Sequence, residues 1–155
     1  MNINTIQNIL PRNIIDDILH DSRDLPWGFI KGKRTDNKNR IWMHQYSYPS
    51  FQYCVHKFQS SKGKLRLELC KDQKGSWLEQ HVDDVAKIHT MQIYLTDAPA
   101  STYFGNGPTE AKVNTGWWFD NTGTELHGLE PLKSDRISII INYVNDLWRD
   151  HSVLC

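Results

Sequence analysis

Apolar and polar residues alternate along much of the chain from about residue 65 onward. Residues 65–70 place a leucine at every second position between polar side chains, and residues 88–96 continue the same alternation. Residues 137–144 are apolar and rich in β-branched side chains. Alternation with a period of two predicts β-strands that bury one face, and residues 137–144 give the strongest strand prediction in the chain.

The first 22 residues carry a helical spacing instead. Ile14, Ile15, Ile18 and Leu19 recur at intervals of three and four, and Pro11 stands where the first turn of a helix tolerates it. This pattern predicts an amphipathic helix that covers the outside of a sheet. Further short strands are predicted over residues 41–48, 51–58, 102–104, 112–114 and 117–120.

The order of these elements predicts the fold class. Many short strands, turns rich in Gly, Asn and Asp, and one leading helix are typical of a mainly β antiparallel barrel or sandwich. The chain shows no internal repeat and no linker composition. We therefore expect a single domain over residues 1–155, with a barrel core at about 51–145 and the N-terminal helix packed outside it.

The composition is that of a globular protein without a global charge. Among 155 residues, 39% are apolar and 11% aromatic, and 18 Lys and Arg balance 18 Asp and Glu. A global field that steers the protein to nucleic acid or a membrane is therefore not expected. Residues 31–74 alone carry eleven basic and three acidic side chains, a local charge of +8. A solvated basic face is the favoured interpretation, and a nucleic-acid partner stays open.

Cysteine usage and the N-terminal residues predict a cytoplasmic protein. Cys54, Cys70 and Cys155 are an odd number without C-x-x-C spacing, which disfavours a disulfide framework or a cysteine zinc site. The first 22 residues lack a basic leading segment and contain Asp16 and Asp17, so they do not resemble a signal peptide. No apolar run has the length that a membrane span needs.

The candidate chemistry begins at His81 and Asp83. Alternation along a strand points residues i and i+2 to one face, so an H-x-D triplet can offer an imidazole and a carboxylate to one metal ion. The triplet alone is weak, and a surface histidine beside solvated carboxylates explains it better. His127 lies 46 positions downstream, after several short strands, which is enough chain to return to the same barrel mouth. Two imidazoles and one carboxylate suit ferrous iron and leave three coordination positions open.

Arg136 opens the apolar last strand. An arginine that enters a buried strand is costly unless it meets an anion. If Arg136 points inward, alternation turns Ser138 and Asn142 inward as well. A guanidinium fork beside a hydroxyl is suited to binding a carboxylate.

The combination of H-x-D, a distant His-Gly and an R-x-S nine positions after that histidine resembles the Fe(II)/2-oxoglutarate-dependent oxygenases, and their prolyl 4-hydroxylase-like branch in particular. The resemblance covers about residues 65–145. It is carried by the segments LELCKDQKGSWLEQHVDD, MQIYLTD and NTGWWFDNTGTELHGLEPLKSDRISIIINYV.

The resemblance implies a double-stranded β-helix, the jelly-roll barrel also found in cupins. It implies an enzyme that uses Fe(II), 2-oxoglutarate and O2, supported by ascorbate, to hydroxylate an unactivated C–H bond. A prolyl residue in a peptide or protein is the best single substrate. The implied iron ligands are His81, Asp83 and His127, and the implied 2-oxoglutarate contacts are Arg136, Tyr94 and Ser138.

The substrate is less well defined than the metal site. Gln92, Trp117 and Asn142 are expected on inward faces, where they would contribute to a substrate pocket. Animal-type members carry another co-substrate-contacting tyrosine on the strand before H-x-D, whereas this chain reads Cys70-Lys71-Asp72 there. Two alternatives stay open: the same chemistry on a small molecule or nucleic acid, and a non-catalytic cupin-like binding module.

Overall fold

The computed structural model describes residues 2–27, 39–99, 102–105, 107–108 and 110–148. Two helices and ten strands follow one another along these residues, with a 3-10 turn at Met43–Gln45. In chain order the elements are β1 (Asn4–Gln7), α1 (Arg12–Asp21), β2 (Arg40–Trp42), α2 (Pro49–Phe58), β3 (Lys64–Asp72), β4 (Leu78–His81), β5 (Lys87–Tyr94), β6 (Thr102–Phe104), β7 (Gly107–Pro108), β8 (Thr115–Asp120), β9 (His127–Leu129) and β10 (Arg136–Val144).

The strands form two antiparallel sheets. The larger sheet has the order β1-β8-β5-β10-β3-β2, and the smaller one has the order β4-β9-β6-β7. β10 lies at the centre of the larger sheet, hydrogen-bonded to β3 on one side and to β5 on the other. This mainly β, two-sheet arrangement confirms the predicted jelly-roll fold class.

The outer face of the larger sheet forms the main apolar core with the helices. Ile139 and Ile141 of β10 are fully buried there, together with Ile15 and Ile18 of α1. The phenol of Tyr143 donates a 2.7 Å hydrogen bond to the carbonyl of Phe58, at the end of α2. The prediction that an N-terminal helix packs outside the barrel is therefore confirmed for α1, and α2 packs on the same face.

The opposite face of the larger sheet is polar. Along β10 the alternate residues Arg136, Ser138 and Asn142 are each 1% exposed or less. Side chains that leave water in this way need partners inside the protein. The predicted site residues Arg136, Ser138 and Asn142 therefore lie on this inner face.

The strand prediction for residues 51–58 was wrong, because this segment is the second helix, α2. Its buried residues Phe51, Cys54, Val55 and Phe58 follow the i, i+3, i+4, i+7 spacing of one helical face. Pro49 stands in the first turn, where it favours a helix start. The sheets therefore include two strands that precede residue 51, β1 and β2.

Three other element boundaries differ from the prediction. Residues 4–7 are an edge strand rather than helix, and the left-handed Asn8, with φ of 53°, separates them from α1. The strand predicted over 41–48 ends at Trp42 and continues as the 3-10 turn. Residues 112–114 form a turn that ends at Asn114, with φ of 62°, rather than a strand.

Neither of the described helices has the length and apolar character that crossing a lipid bilayer requires.

The packing of β3 against the helices can be tested by deleting one buried side chain. Leu69→Ala removes a fully buried side chain from this core, so we expect a loss of about 2–5 kcal/mol in unfolding free energy. The matched change Leu147→Ala, at a side chain that is 62% exposed, should alter stability by about 0.5 kcal/mol or less. Urea unfolding of both variants measures the difference, and equal effects would contradict this placement of the core.

Candidate metal centre

His81 and His127 are brought together by the pairing of β4 with β9. The two residues lie directly opposite each other in this antiparallel ladder, and their ring centroids are 4.5 Å apart. Gly128 allows the two strands to approach, because a Cβ at this position would lie 2.9 Å from the carbonyl oxygen of Leu78. Residues 46 positions apart in sequence thus become cross-strand neighbours.

Asp83 completes a three-residue cluster. One of its carboxylate oxygens, Oδ1, lies 3.4 Å from Nε2 of His127 and 3.8 Å from Nε2 of His81. The three ligand atoms all lie within 4.8 Å of one another. Ligands at about 2.1 Å from a common ion are about 3 Å apart when adjacent, so a small contraction around an ion suffices.

The other ring nitrogen of each histidine is held by the backbone. Nδ1 of His81 lies 2.9 Å from the carbonyl oxygen of Glu79, and Nδ1 of His127 lies 2.7 Å from that of Glu125. A carbonyl can only accept, so each Nδ1 carries the proton and donates it. Each Nε2 then presents its lone pair toward Asp83, which is the tautomer that a metal ligand needs.

The electrostatics favour the protonation states that bind a metal ion. Burial lowers the pKa of His81, and the neighbouring His127 acts in the same direction. Burial by itself would raise the pKa of Asp83, but the hydrogen bond that His127 donates when its ring is protonated, the charge of Lys87 and the hydroxyl of Thr90 together hold it well below its usual range. A neutral imidazole and an ionised carboxylate are the forms that coordinate metal ions.

Asp83 is fixed from behind by a chain of hydrogen bonds. Its second oxygen accepts a 2.5 Å bond from the hydroxyl of Thr90, which accepts a 2.9 Å bond from the amide of Asn142. The amide oxygen of Asn142 in turn accepts from Arg66 at 3.1 Å. Thr90 thereby leaves the other oxygen of Asp83 directed at the two histidines.

Arg136 is buried at one end of the cavity beside the cluster, with 1% of its surface exposed. Its Nη1 donates to the hydroxyl of Thr102 at 3.2 Å, and its Nη2 donates to a carboxylate oxygen of Asp72 at 2.9 Å. Asp72 also accepts a 2.6 Å bond from the amide of Asn39. The guanidinium carbon of Arg136 lies 5.6 Å from the ring centroid of Tyr94.

The other predicted site residues divide into those that line the cavity and those that lie behind it. Gln92 and Trp117 line it. Ser138 and Asn142 are fully buried outside its lining, where Ser138 accepts a 2.9 Å bond from Gln92. Tyr94 also lies behind the lining, and its phenol oxygen accepts a 3.0 Å bond from the indole of Trp117.

The cavity contains about 530 Å³ of space, including its open mouth. Its lining also includes three charged residues that were not predicted. They are Arg40, Glu68 and Lys87, and Nη1 of Arg40 lies 2.9 Å from a carboxylate oxygen of Glu68. Arg66 lies 3.4 Å from the other Glu68 oxygen, between the rings of Trp42 and Trp148.

Several of these contacts could have been found from the sequence. Thr90 precedes Gln92 by two positions, so alternation already placed both on the inner face. Asp72 stands in the segment that departs from the resembling family, and a buried acid is a natural partner for a buried Arg136. Arg40 and Arg66 were counted with a solvated basic face, because composition does not show which way a side chain points.

This chain matches known proteins in structure but not in sequence. No family model matches the chain, and no curated protein matches it by sequence. It is similar in structure to a viral collagen prolyl hydroxylase from Paramecium Bursaria Chlorella virus-1 in complex with 2-oxoglutarate, with a TM-score of 0.62, 16% identity, and 94% of this chain and 97% of that chain covered.

Two further solved structures share the fold. A Trichoplax adhaerens prolyl hydroxylase, in complex with a hypoxia inducible factor peptide, has a TM-score of 0.61 and 13% identity. The match covers 94% of this chain and 84% of that chain. A non-heme alpha ketoglutarate dependent epimerase from nogalamycin biosynthesis has a TM-score of 0.62 and 13% identity. The match covers 92% of this chain and 77% of that chain. At these identities the likeness is one of fold, and it confirms the fold that the sequence resemblance implied.

The cluster can be tested as a metal site without any enzymatic assay. We expect His127→Ala to weaken Mn(II) binding by about 100-fold or more, because it removes one of three ligands. Thr90→Val, which keeps the side-chain shape but removes the hydroxyl on Asp83, should weaken it by about 10–100-fold. Calorimetric titration measures both, with His56→Ala on the exposed side of α2 as the matched control. Equal affinities for the His127 and His56 variants would contradict a metal site here.

Proposed function

We propose that this protein is an Fe(II)- and 2-oxoglutarate-dependent dioxygenase that hydroxylates an unactivated C–H bond. One observation carries the proposal: His81, Asp83, His127 and Arg136 line a single cavity between the two sheets. A cluster suited to ferrous iron and a buried guanidinium are the two features that a keto-acid co-substrate requires. The fold shared with 2-oxoglutarate-using proteins agrees with this function.

His81, Asp83 and His127 would hold the iron on one face through two Nε2 atoms and one carboxylate oxygen. The chemistry that such an iron would supply is the oxidative decarboxylation of 2-oxoglutarate, with transfer of one oxygen atom from O2 to the substrate. The chain's own contribution is to leave the opposite face of the cluster open to the cavity. Thr90 and the backbone carbonyls of Glu79 and Glu125 keep the ligands oriented.

Arg136 would bind the distal carboxylate of 2-oxoglutarate. Its Nε has no hydrogen-bond partner among the described residues, and Arg136 lines the cavity. Asp72 keeps the guanidinium oriented but also compensates part of its charge, which sets this site apart from one with an isolated arginine. Tyr94 and Ser138 are proposed to support this end, Tyr94 through its ring against Arg136 and Ser138 through Gln92.

The sequence resemblance makes a prolyl residue in a peptide or protein the best single proposal for the substrate. The Trichoplax prolyl hydroxylase that shares the fold is in complex with a peptide, which supports this class. Gln92 and Trp117 are placed to contact a substrate, whereas Asn142 would act through Thr90. The fold of a 2-oxoglutarate-dependent epimerase is equally similar, so the fold by itself does not identify the substrate.

The nucleic-acid alternative gains little from the basic segment 31–74. Arg40 and Arg66 of this segment are turned inward, onto Glu68. Residues 31–38 lie outside the described part of the chain. Salt-dependent binding of an oligonucleotide would support this alternative.

The catalytic proposal predicts 2-oxoglutarate turnover. With Fe(II), ascorbate and candidate substrates, succinate should form, and Asp83→Ala should abolish its formation because the carboxylate ligand is lost. Mass spectrometry of the substrate should show an increase of one oxygen atom. A non-catalytic cupin-like module would instead show no iron-dependent succinate and would retain its ligand binding in Asp83→Ala.

The role of Arg136 predicts a selective loss of co-substrate affinity. Arg136→Gln alone leaves the buried Asp72 without its cation, so the paired variant Asp72→Asn/Arg136→Gln is the better test of folded protein. We expect its dissociation constant for 2-oxoglutarate to rise about 30-fold or more, as for other buried charge contacts, while its Mn(II) affinity stays within about threefold. Unchanged 2-oxoglutarate binding would place the co-substrate elsewhere.

A further inference from the structure

Asp72 and Arg136 are direct cross-strand neighbours in the ladder between β3 and β10. Nη2 of Arg136 donates a 2.9 Å hydrogen bond to Oδ2 of Asp72. Both side chains are 1% exposed or less, so water is excluded from the contact. Charges in such surroundings are screened much less than charges at a surface. The carboxylate of Asp72 therefore acts strongly on the charge that Arg136 presents to any further ligand.

The two side chains differ in their access to the cavity. Arg136 and Thr102 line it, whereas Asp72 lies outside its lining. On the cavity side, Nη1 of Arg136 donates to the hydroxyl of Thr102 at 3.2 Å. A carboxylate bound in the cavity at this point thus meets a guanidinium that already binds a carboxylate through another nitrogen atom.

A guanidinium can bind two carboxylates at once, because it has five N–H donors in one plane. The two anions then lie within a few ångströms of each other and repel, most strongly where water is excluded. This repulsion acts on any further anion at Arg136, whatever other contacts Asp72 makes. Asp72 therefore lowers the affinity of the site for a second carboxylate, while a neutral group at the same place is little affected.

We infer that Asp72 determines how strongly this site distinguishes 2-oxoglutarate from 2-oxo acids with a neutral distal end. The inference rests on the proposed function, in which Arg136 binds the distal carboxylate. The charge of Asp72 reduces the distinction, so 2-oxo acids with an apolar distal end also bind to the site. An uncharged side chain of the same shape at this position increases the distinction.

Asp72→Asn removes the charge and keeps the shape. The introduced amide offers its oxygen to Nη2 of Arg136 and its NH2 group to Asn39. The Oδ1 atom of Asn39 is buried and has no hydrogen-bond partner among the described residues, while its Nδ2 donates to Asp72 at 2.6 Å. Turning the Asn39 amide over would therefore satisfy the new donor, and we expect the variant to fold.

The test compares two 2-oxo acids. Calorimetry on protein loaded with Mn(II), without oxygen, gives the dissociation constants of 2-oxoglutarate and of 2-oxopentanoate, which has a methyl group in place of the distal carboxylate. In Asp72→Asn we expect the dissociation constant of 2-oxoglutarate to fall about tenfold or more, and that of 2-oxopentanoate to stay within about threefold. The Mn(II) affinity should also stay within about threefold, because the metal ligands are unchanged.

Two controls separate this local effect from a general loss of negative charge. Asp135→Asn makes the same charge change one position before Arg136, at an exposed side chain whose Oδ1 accepts from the backbone N–H of Lys74. It should leave both dissociation constants within about threefold. In the paired variant Asp72→Asn/Arg136→Gln the tightening should be absent, because the guanidinium that the two anions share has been removed.

The outcomes separate the inference from the proposed function. If Asp72→Asn binds 2-oxoglutarate no more tightly, or binds both 2-oxo acids more tightly to the same extent, the inference fails and the proposed function stands. The same tightening in Asp135→Asn, or in the paired variant, would also overturn the inference. A wild-type protein that binds neither Mn(II) nor 2-oxoglutarate would overturn the proposed function, and the inference with it.

The wild-type protein decides the matter if Asp72→Asn does not fold. We expect it to prefer 2-oxoglutarate over 2-oxopentanoate by less than about 100-fold, because part of the guanidinium charge is compensated. A larger preference would show an arginine that acts at its full charge and would overturn the inference.

Discussion

The alternation of side chains along β10 is the constraint on which the site depends. This strand is paired on both sides, so its backbone is fixed and every second residue must face the interior between the sheets. Isoleucines on its outer face bury against the two helices, and this burial fixes the register. The same register places Arg136, Ser138 and Asn142 inward. A shift of one residue in this register would place the isoleucines on the inner face and the site residues on the outer face.

The interior that results is held together by polar contacts rather than by apolar packing alone. Arg136 with Asp72, and Arg66 with Glu68, are ion pairs at positions with almost no exposure. Buried ion pairs contribute little net stability, since removing two charges from water costs about as much as their attraction returns. Their retention here is better explained by orientation: Asp72 directs a guanidinium, and the chain from Arg66 to Thr90 directs Asp83.

Much of this arrangement could be predicted from the sequence, and the rest could not for physical reasons. The alternating segments predicted the central strands, and the spacing of His81, Asp83 and His127 predicted a cluster that the structure brings within 4.8 Å. Helix α2 was missed because Phe51, Tyr53 and Val55 alternate as in a strand, whereas Tyr53 is exposed and Cys54 completes the buried helical face. The contact of Arg40 with Glu68 in the cavity was missed because it depends on the pairing of β2 with β3, a long-range contact that local patterning does not encode.

In the proposed function, one ion at His81, Asp83 and His127 and one dicarboxylic acid at Arg136 occupy the same cavity. A crystal structure of the protein with Mn(II) and 2-oxoglutarate tests it most directly. We expect Mn(II) on both Nε2 atoms and on Asp83, with the distal carboxylate of 2-oxoglutarate against Arg136 and Thr102. An ion bound away from these three side chains, or a 2-oxoglutarate carboxylate held by Arg40 and Lys87 instead, would contradict it.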